Sequence, residues 1–414
     1  MSKHSTEDQV SSIPIWENLE EWVRTQVQTF VQDLLEAEVT ELLGRRKSAR
    51  RAAVDGATGY RNGYGKPRHL TLRSGSITVR RPRVRGLEAR LASVVLPLFA
   101  RRTQAVSALL PELYLHGLAH RDFDLALRGL LGETAPLSAS TVARLKEKWQ
   151  AEWETWMSRR LDALEVTYLW VDGVYVKAGL EKEKAALLVV LAGLSDGRKA
   201  FLALVPGHRE STEAWSAVLR DLKARGLRCP VVVIGDGHLG IWGALRNVYP
   251  EAAEQRCWNH RVLNVLGKLP KQHQAHAKRL VTALPYAATR EDAERRKAEF
   301  QRWCQRRDCA AAARLLDEDW ERIVTFYRFP QEHWAHLRTT NPLESPFAAL
   351  RLRTDAAKRF KSVPNATAVM WKMLLIAEQR FRRLNAPALV REVYLGGTFV
   401  NGRRVNGENQ EVAA

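Results

Sequence analysis

Val166-Thr167-Tyr168-Leu169-Trp170-Val171-Asp172-Gly173-Val174-Tyr175-Val176 is the stretch on which the reading of the whole chain turns. It is rich in β-branched and aromatic residues around a single carboxylate, which predicts a strand. Outward from it, Ala185 to Leu194 and Lys199 to Val205 are two further β-rich runs, set apart by turn-like 181–184 and Ser195-Asp196-Gly197-Arg198. Such short connections favour antiparallel neighbours. The pattern then predicts a helix from about Ser211 to Arg225 and a buried strand at Pro230-Val231-Val232-Val233-Ile234. A helix from Leu239 to Val248 and a shorter strand around Ala253 to Trp258 follow.

This β-β-β-α-β-α-β order is that of a ribonuclease-H-like domain, an α/β fold with a mixed sheet in which the first and fourth strands are parallel neighbours at the centre. From about Arg261 to His336 the pattern is all helical, anchored by Phe300, Trp303, Leu315, Trp320, Ile323 and Phe326, and predicts a helical insertion.

Length and composition bound the rest. A chain of 414 residues with 45% apolar and 27% charged residues is an ordinary globular protein of several domains. The longest apolar run, Ala185 to Leu194, is half of the roughly 20 residues a bilayer-spanning helix needs, so no membrane span is expected. The first 15 residues lack an apolar signal stretch and the chain has four cysteines, so a reducing cytoplasm is the expected compartment. Charge is the unusual quantity. Lys and Arg number 65 against 46 Asp and Glu, a net +19. Between Arg45 and Arg102, 16 basic residues face only Asp55 and Glu88, so 58 residues carry +14 and the remainder +5. That concentration predicts contact with nucleic-acid phosphates, set against a merely solvated basic face.

Ahead of the strands the chain reads as α-rich. Residues 15–44 form one amphipathic helix with Ile15, Leu19, Val23, Val27, Phe30 and Leu34 as its stripe. Seven acids against Arg24 keep it away from DNA, and the stripe can pair with a second copy or pack within its own chain. The Gly- and Arg-rich stretch 56–86 holds a short strand at Ser76 to Val79 and a basic arm from Arg80 to Arg85. Three helical segments follow: one ending at Gly117, one from about His120 to Leu131, and one after Ser138. Their spacing is compatible with a helix-turn-helix that sets Arg144, Lys146 and Lys148 on or near a DNA-facing helix, although helix pairs of this kind are common in any α-rich protein.

Three acids stand where this fold makes them useful. Asp172 lies inside the first strand, where a carboxylate among apolar residues is costly unless paired or bound to metal. Asp236 ends the fourth strand in Ile234-Gly235-Asp236-Gly237. Each alone also fits an Asp-Gly turn. Glu344, in Thr339-Thr340-Asn341-Pro342-Leu343-Glu344-Ser345, also fits a capping-box-like helix start with Asn341 as the cap. Cys257 and His260 lack the further Cys and His pairs of a structural zinc site. Trp258, Trp303, Trp320 and Trp334 fit helix-core packing or, if exposed, stacking on a displaced base.

Taken together, Asp172-x-x-Tyr175, Asp236-Gly237-x-x-Gly240, Cys257-x-x-His260 and Thr339-Thr340-Asn341-x-x-Glu344-Ser345, with Arg61-Asn62-Gly63 and Pro82-Arg83-x-Arg85 upstream, resemble the mutator-type bacterial insertion-sequence transposases over roughly residues 40–385. The resemblance implies a DDE transposase that binds the terminal inverted repeats of its element and target DNA, and cleaves and transfers DNA strands as a dimer or larger assembly. Asp172, Asp236 and Glu344 then correspond to the catalytic, metal-holding acids, which suit two Mg²⁺ ions, or Mn²⁺ in their place. The expected DNA contacts are Arg61, Arg81, Arg83, Arg85, Arg144, Lys146, Lys148, His260, Arg351, Arg353 and Lys358. Phe347 stands where the family usually has Asn, and Leu263 where it often has Arg; neither change removes a metal ligand. The expected organisation is 1–44 acidic helix, 45–102 basic segment, 103–160 helix-turn-helix-like, 161–260 and 337–390 catalytic core, 261–336 insertion and 391–414 tail. The competing function is a DNA-binding regulator or architectural protein on a transposase scaffold that no longer cleaves.

Overall fold

A computed structural model describes residues 16–49, 59–87, 91–97, 101–115, 128, 131, 139–179, 184–207, 211–237 and 239–405. The chain divides into two compact units, residues 1–145 and 146–414.

In the first unit helix α1 (Leu19–Leu43) ends at Gly44, whose left-handed backbone (φ 63°) turns its N–H onto the Glu41 carbonyl at 3.2 Å. Between α1 and α2 (Gln104–Leu115) come four short strands: β1 (Tyr60–Tyr64), β2 (Arg68–Leu72), β3 (Gly75–Val79) and β4 (Pro82–Arg85). They pair as two antiparallel ribbons, β1 with β4 and β2 with β3. The unit is therefore mixed rather than α-rich, and the expected basic arm is largely a strand edge. The α1 stripe also differs from expectation. Val27, Val31 and Leu35 pack on Leu70, Leu72, Ile77, Val79 and Leu96, whereas Phe30 and Leu34 face outward. Polar side chains fix this rotation: Gln28 accepts from the Thr78 N–H at 2.9 Å, and Gln32 both accepts from and donates to the Arg80 backbone at 2.9 Å. Of the helix-turn-helix expected over residues 120–156, only α3 (Ala139–Met157), Arg128 and Leu131 fall among the described residues; the turn at 132–137 lies outside them.

The second unit is built on a five-stranded mixed sheet of order β7-β6-β5-β8-β9. Its strands are β5 (Val166–Val176), β6 (Ala185–Leu194), β7 (Lys199–Gly207), β8 (Val232–Gly235) and β9 (Ala253–Arg256). β6 runs antiparallel to both β5 and β7, and β5, β8 and β9 run parallel. Helices α4 (Thr212–Ala224) and α5 (Leu239–Val248) seal one face, where Trp215, Leu219, Leu222, Ile241 and Trp242 meet Leu169, Val171, Leu188, Val190 and Val233. Ser211 caps α4 by accepting from the Ala214 N–H at 3.2 Å.

The insertion begins at α6 (Trp258–Gly267) and continues through α7 (Lys271–Thr282), α8 (Arg290–Gln305), α9 (Ala310–Glu318), α10 (Trp320–Ile323) and α11 (Trp334–Leu337). Helices α12 (Asn341–Ala357), α13 (Val363–Glu378) and α14 (Pro387–Tyr394) follow. On the sheet face opposite α4 and α5, Tyr168 hydrogen-bonds His333 at 2.7 Å and Trp170 donates to the His336 carbonyl at 2.9 Å. Gln255, fully buried, donates to the Ile323 carbonyl and accepts from the Phe326 N–H. Trp258, Trp303, Trp320 and Trp334 are all buried, so they pack the core and do not offer a surface for stacking. No described helix is long and apolar enough to cross a membrane.

Candidate active site and basic cleft

Strand register sets two of the acids side by side. Val171 pairs with Gly235 across the parallel β5–β8 ladder, so Asp172 and Asp236 follow at adjacent positions at the same end of the sheet. Alternation along β5 puts Asp172 on the face of Tyr168 and Trp170, away from α4 and α5. The neighbouring strand β9 extends this end, with the Cys257 N–H donating to the Gly235 carbonyl at 2.8 Å.

Glu344 arrives from far along the chain because both ends of the insertion are tied together. At the start of α6 the Trp258 N–H donates to the Arg338 carbonyl at 2.9 Å, and Asn259 Nδ2 donates to Asn341 Oδ1 at 3.0 Å. The buried Cys257 sulfur accepts from the Thr340 N–H at 3.3 Å and from its hydroxyl at 3.4 Å. α12 starts one residue earlier than the sequence predicts, with Thr340 in place of Asn341 as the residue before the helix. Thr340 Oγ1 also approaches Glu344 Oε1 at 3.2 Å, so the helix start aims the carboxylate. Donor atoms of Cys257, His260 and Glu344 lie within 4.8 Å of one another. One turn into α6, the half-buried His260 imidazole is raised to about 9 by the adjacent Cys257 sulfur, and further by the carboxylates of Asp236 and Asp172, against the opposing effect of burial. His260 thus lies close to Glu344 and within electrostatic reach of Asp236 and Asp172, while neither aspartate belongs to the close donor group among the described residues. Thr340 and the tethering role of Cys257 were not read from the sequence, where the Thr-Thr-Asn motif served as a family marker and as a helix start capped by Asn341.

Next to Asp236, Gly237 adopts φ +92° and a Cβ there would overlap the Arg256 side chain, which makes glycine necessary at this turn. Burial pulls the Arg256 guanidinium down, and the Asp236 carboxylate opposes that.

The other expected site residues separate into groups. In the first unit Arg81, Arg83 and Arg85 line a cavity of about 520 Å³ together with Lys66, Arg68 and Arg101, with no acid in its wall among the described residues. Burial pulls the Arg68 guanidinium down, and the neighbouring positive charges of Arg81 and Arg101 add to it. Lys66, Arg68 and Arg101 were counted in the basic run but not singled out, because composition does not say which cations converge. Arg83 Nε donates to the Tyr64 carbonyl at 2.9 Å, and Arg81 Nη2 donates to the Leu91 carbonyl at 2.5 Å, which fixes both side chains on the cleft wall. Arg61 does not join them. It is held by Glu36 at 2.7 Å and Thr40 at 2.6 Å and is 19% exposed. Arg144 is exposed near Arg102. In the second unit Lys148 is exposed and pairs with Glu152 at 3.7 Å, while Lys146 is half-buried. Arg351 and Lys358 are exposed on and after α12, but Arg353 is 2% exposed and faces the interior. Phe347 is buried in the core, and Leu263 is exposed.

The chain is similar to known proteins along most of its length. The family model described as transposase, Mutator family, matches residues 2–383. The transposase for insertion sequence element IS6120 of Mycolicibacterium smegmatis is 44% identical over 298 residues, 72% of this chain and 92% of that protein. The transposase for element IST2 of Acidithiobacillus ferrooxidans is 37% identical over 294 residues, covering 70% of this chain and 99% of its own length. The transposase for element ISRM5 of Rhizobium meliloti is 30% identical over 370 residues, 88% and 89% of the two chains. A match this long, with relatives covered almost end to end, means that the chain belongs to the Mutator family of transposases.

Proposed function

We propose that this chain is the transposase of a bacterial insertion sequence, that its five-stranded sheet is a ribonuclease-H-like core, and that Asp172, Asp236 and Glu344 are its catalytic acids. The observation that carries the reading is geometric: strand register sets Asp172 and Asp236 side by side at the end of β5 and β8, and Glu344 comes within 4.8 Å of His260, which both aspartates reach electrostatically. The three carboxylates are hard oxygen donors suited to Mg²⁺ or Mn²⁺. Cys257 is a poor fourth ligand, since its buried sulfur is already occupied by Thr340. Asp172, Asp236 and Glu344 would hold the metal. Two bound ions would supply activation of the attacking oxygen and stabilisation of the leaving one.

The chain's own residues do the rest. Asp172 and Asp236 present their carboxylates from adjacent strand ends, and Glu344 closes the set from the first turn of α12. His260, carrying its proton, donates to a phosphate oxygen of the strand being cut. In strand transfer the freed 3′-hydroxyl oxygen forms a bond to a target phosphorus as the bond from that phosphorus to its own 3′-oxygen breaks. No side-chain nucleophile is needed.

The basic cleft of the first unit takes the DNA backbone, with Lys66, Arg68, Arg81, Arg83, Arg85 and Arg101 as phosphate contacts. Arg144, Lys146, Lys148, Arg351 and Lys358 are candidates for further contacts; Arg61, tied to Glu36, and Arg353, in the interior, are not. Two element ends must be held at once, so the protein works as a dimer or larger assembly at the bacterial nucleoid. The outward-facing Trp16, Trp22, Phe30 and Leu34 of the N-terminal helical segment support pairing with a second copy.

Incubation with duplexes of the element's own terminal sequence and Mg²⁺ tests this directly. Nicked and strand-transfer products are expected from the wild type, and none from Asp172→Asn. Binding of those ends without any cleavage in Mg²⁺ or Mn²⁺ would identify a silent DNA-binding regulator instead.

A further inference from the structure

On the side of Asp236 that faces the insertion lies a cavity of about 670 Å³, walled by Gly237, Arg256, Arg261, Lys268 and Arg322 with Glu318 and Asp319 among the acids. Three of these cations converge on one carboxylate: Arg256, Arg261 and Arg322 all pair with Asp319. Arg322 has a second partner in Glu254. Arg256 also feels the carboxylates of Asp236 and Glu318, and Arg261 that of Glu318, but the Nε atoms of both arginines are buried without a hydrogen-bond acceptor. Arg261 is 1% exposed. The cavity wall carries four cations, Arg256, Arg261, Lys268 and Arg322, against Glu318 and Asp319, and two buried guanidinium N–H groups beside the open space lack an acceptor, the condition that a further anion relieves. Arg256 also touches the Gly237 turn, so the cavity begins where the Asp236 backbone ends.

We propose that this cavity is a phosphate subsite for the DNA strand on which Asp236 acts, taking a backbone phosphate next to the one that is cleaved. The inference rests on the reading of Asp236 as a catalytic acid. Arg256 and Arg261 form the inner wall, and Lys268, exposed at the end of α6, stands at the mouth. Asp319 holds the arginines in place when no DNA is bound. A purely structural tie between β9 and the insertion would need the Asp319 network but would make no use of Lys268.

Lys268 and the neighbouring Leu263, which is 65% exposed and lines the same cavity, allow a test that leaves the buried network intact. Full-length wild type, Lys268→Ala and Leu263→Lys are compared for binding of a duplex carrying the element's own end, by fluorescence anisotropy across a salt series without divalent metal. The logarithmic salt slope should fall by about one in Lys268→Ala and rise by about one in Leu263→Lys, with thermal stability unchanged. Lys268→Ala should also cleave the duplex roughly 3- to 10-fold less efficiently in Mg²⁺, with the change in KM. If the wild type binds and cleaves while both variants keep its slope, the subsite is refuted and the catalytic assignment stands. If the wild type does not cleave, both readings fall together. In a separate arm inorganic phosphate alone is added; stabilisation of the wild type that Lys268→Ala loses would reassign the cavity to a free anion and overturn the DNA subsite.

Discussion

The acidic pocket of the second unit and the basic cleft of the first are built in opposite ways. The acids stand on a sheet whose central strands are almost wholly buried, and the third is delivered by a helix start locked to that sheet's end through Cys257, Trp258 and Asn259. The cations stand on two-stranded ribbons over a core of four fully buried residues, Leu35, Ile77, Val79 and Leu96. The contrast fits the functions proposed for each. Ligands for a metal pair would need fixed positions, which the most rigid elements provide. Phosphate contacts would act through charge and counterion release and tolerate side-chain freedom.

The largest effect expected from breaking this division is in Asp236→Asn. Cleavage of element-end DNA should fall on the order of 10³-fold or more, the several kcal/mol that a lost metal ligand removes, with DNA affinity unchanged. Equal losses of binding and cleavage would mean that the two functions are not divided in this way. Next comes the reverse experiment. Arg68→Ala with Arg101→Ala should weaken DNA binding about 10- to 100-fold at moderate salt and lower the salt slope by about two. Arg61→Ala is its control: loss of the Glu36 pair should cost on the order of 1 kcal/mol in denaturation and leave the slope where it was. An Arg61 variant with the larger DNA defect would invert the assignment of these arginines.

Two smaller effects sharpen the account of the pocket. Thr340→Val removes the hydroxyl that bridges Cys257 and Glu344, and should lower stability by about 1–2 kcal/mol and cleavage roughly 10-fold without changing DNA affinity. Unchanged cleavage would show that Glu344 does not depend on that start. The last concerns His260. Its folded value, about 9, lies above the roughly 6.5 of an unfolded histidine, so its stabilisation is complete below pH 6.5 and fades as pH rises through 9. Chelator-treated wild type should lose on the order of 1 kcal/mol across that window, allowing for solvent screening, and His260→Gln should not. A flat profile in the wild type would contradict the charge assigned to the pocket.

Much of the second unit was legible because its signals are local. Val166 to Val176 and Ala185 to Leu194 are strands with the predicted bounds, and α5 has its predicted ends, since uninterrupted apolar character or clean periodicity leaves one solution. The adjacency of Asp172 and Asp236 follows from strand order. The approach of Glu344 does not: it depends on Thr340, Cys257 and Asn259 meeting across some 80 residues, and no periodicity encodes that contact. In the first unit the charge surplus was legible but its arrangement was not. Gln28 and Gln32, polar residues on an amphipathic helix, decide through backbone hydrogen bonds which apolar side of α1 is buried.

The central claim is that acids far apart in sequence surround one metal pair, and iron-directed cleavage of the polypeptide tests it without reference to DNA. With Fe²⁺ replacing Mg²⁺ and peroxide with ascorbate as the radical source, hydroxyl radicals cut the backbone beside the bound ion. Cuts are predicted around Asp172, Asp236 and Glu344 together, competed by Mg²⁺ and lost from all three segments in Asp172→Asn. Cuts confined to Cys257, His260 and Glu344, and unaffected by Asp172→Asn, would contradict the account.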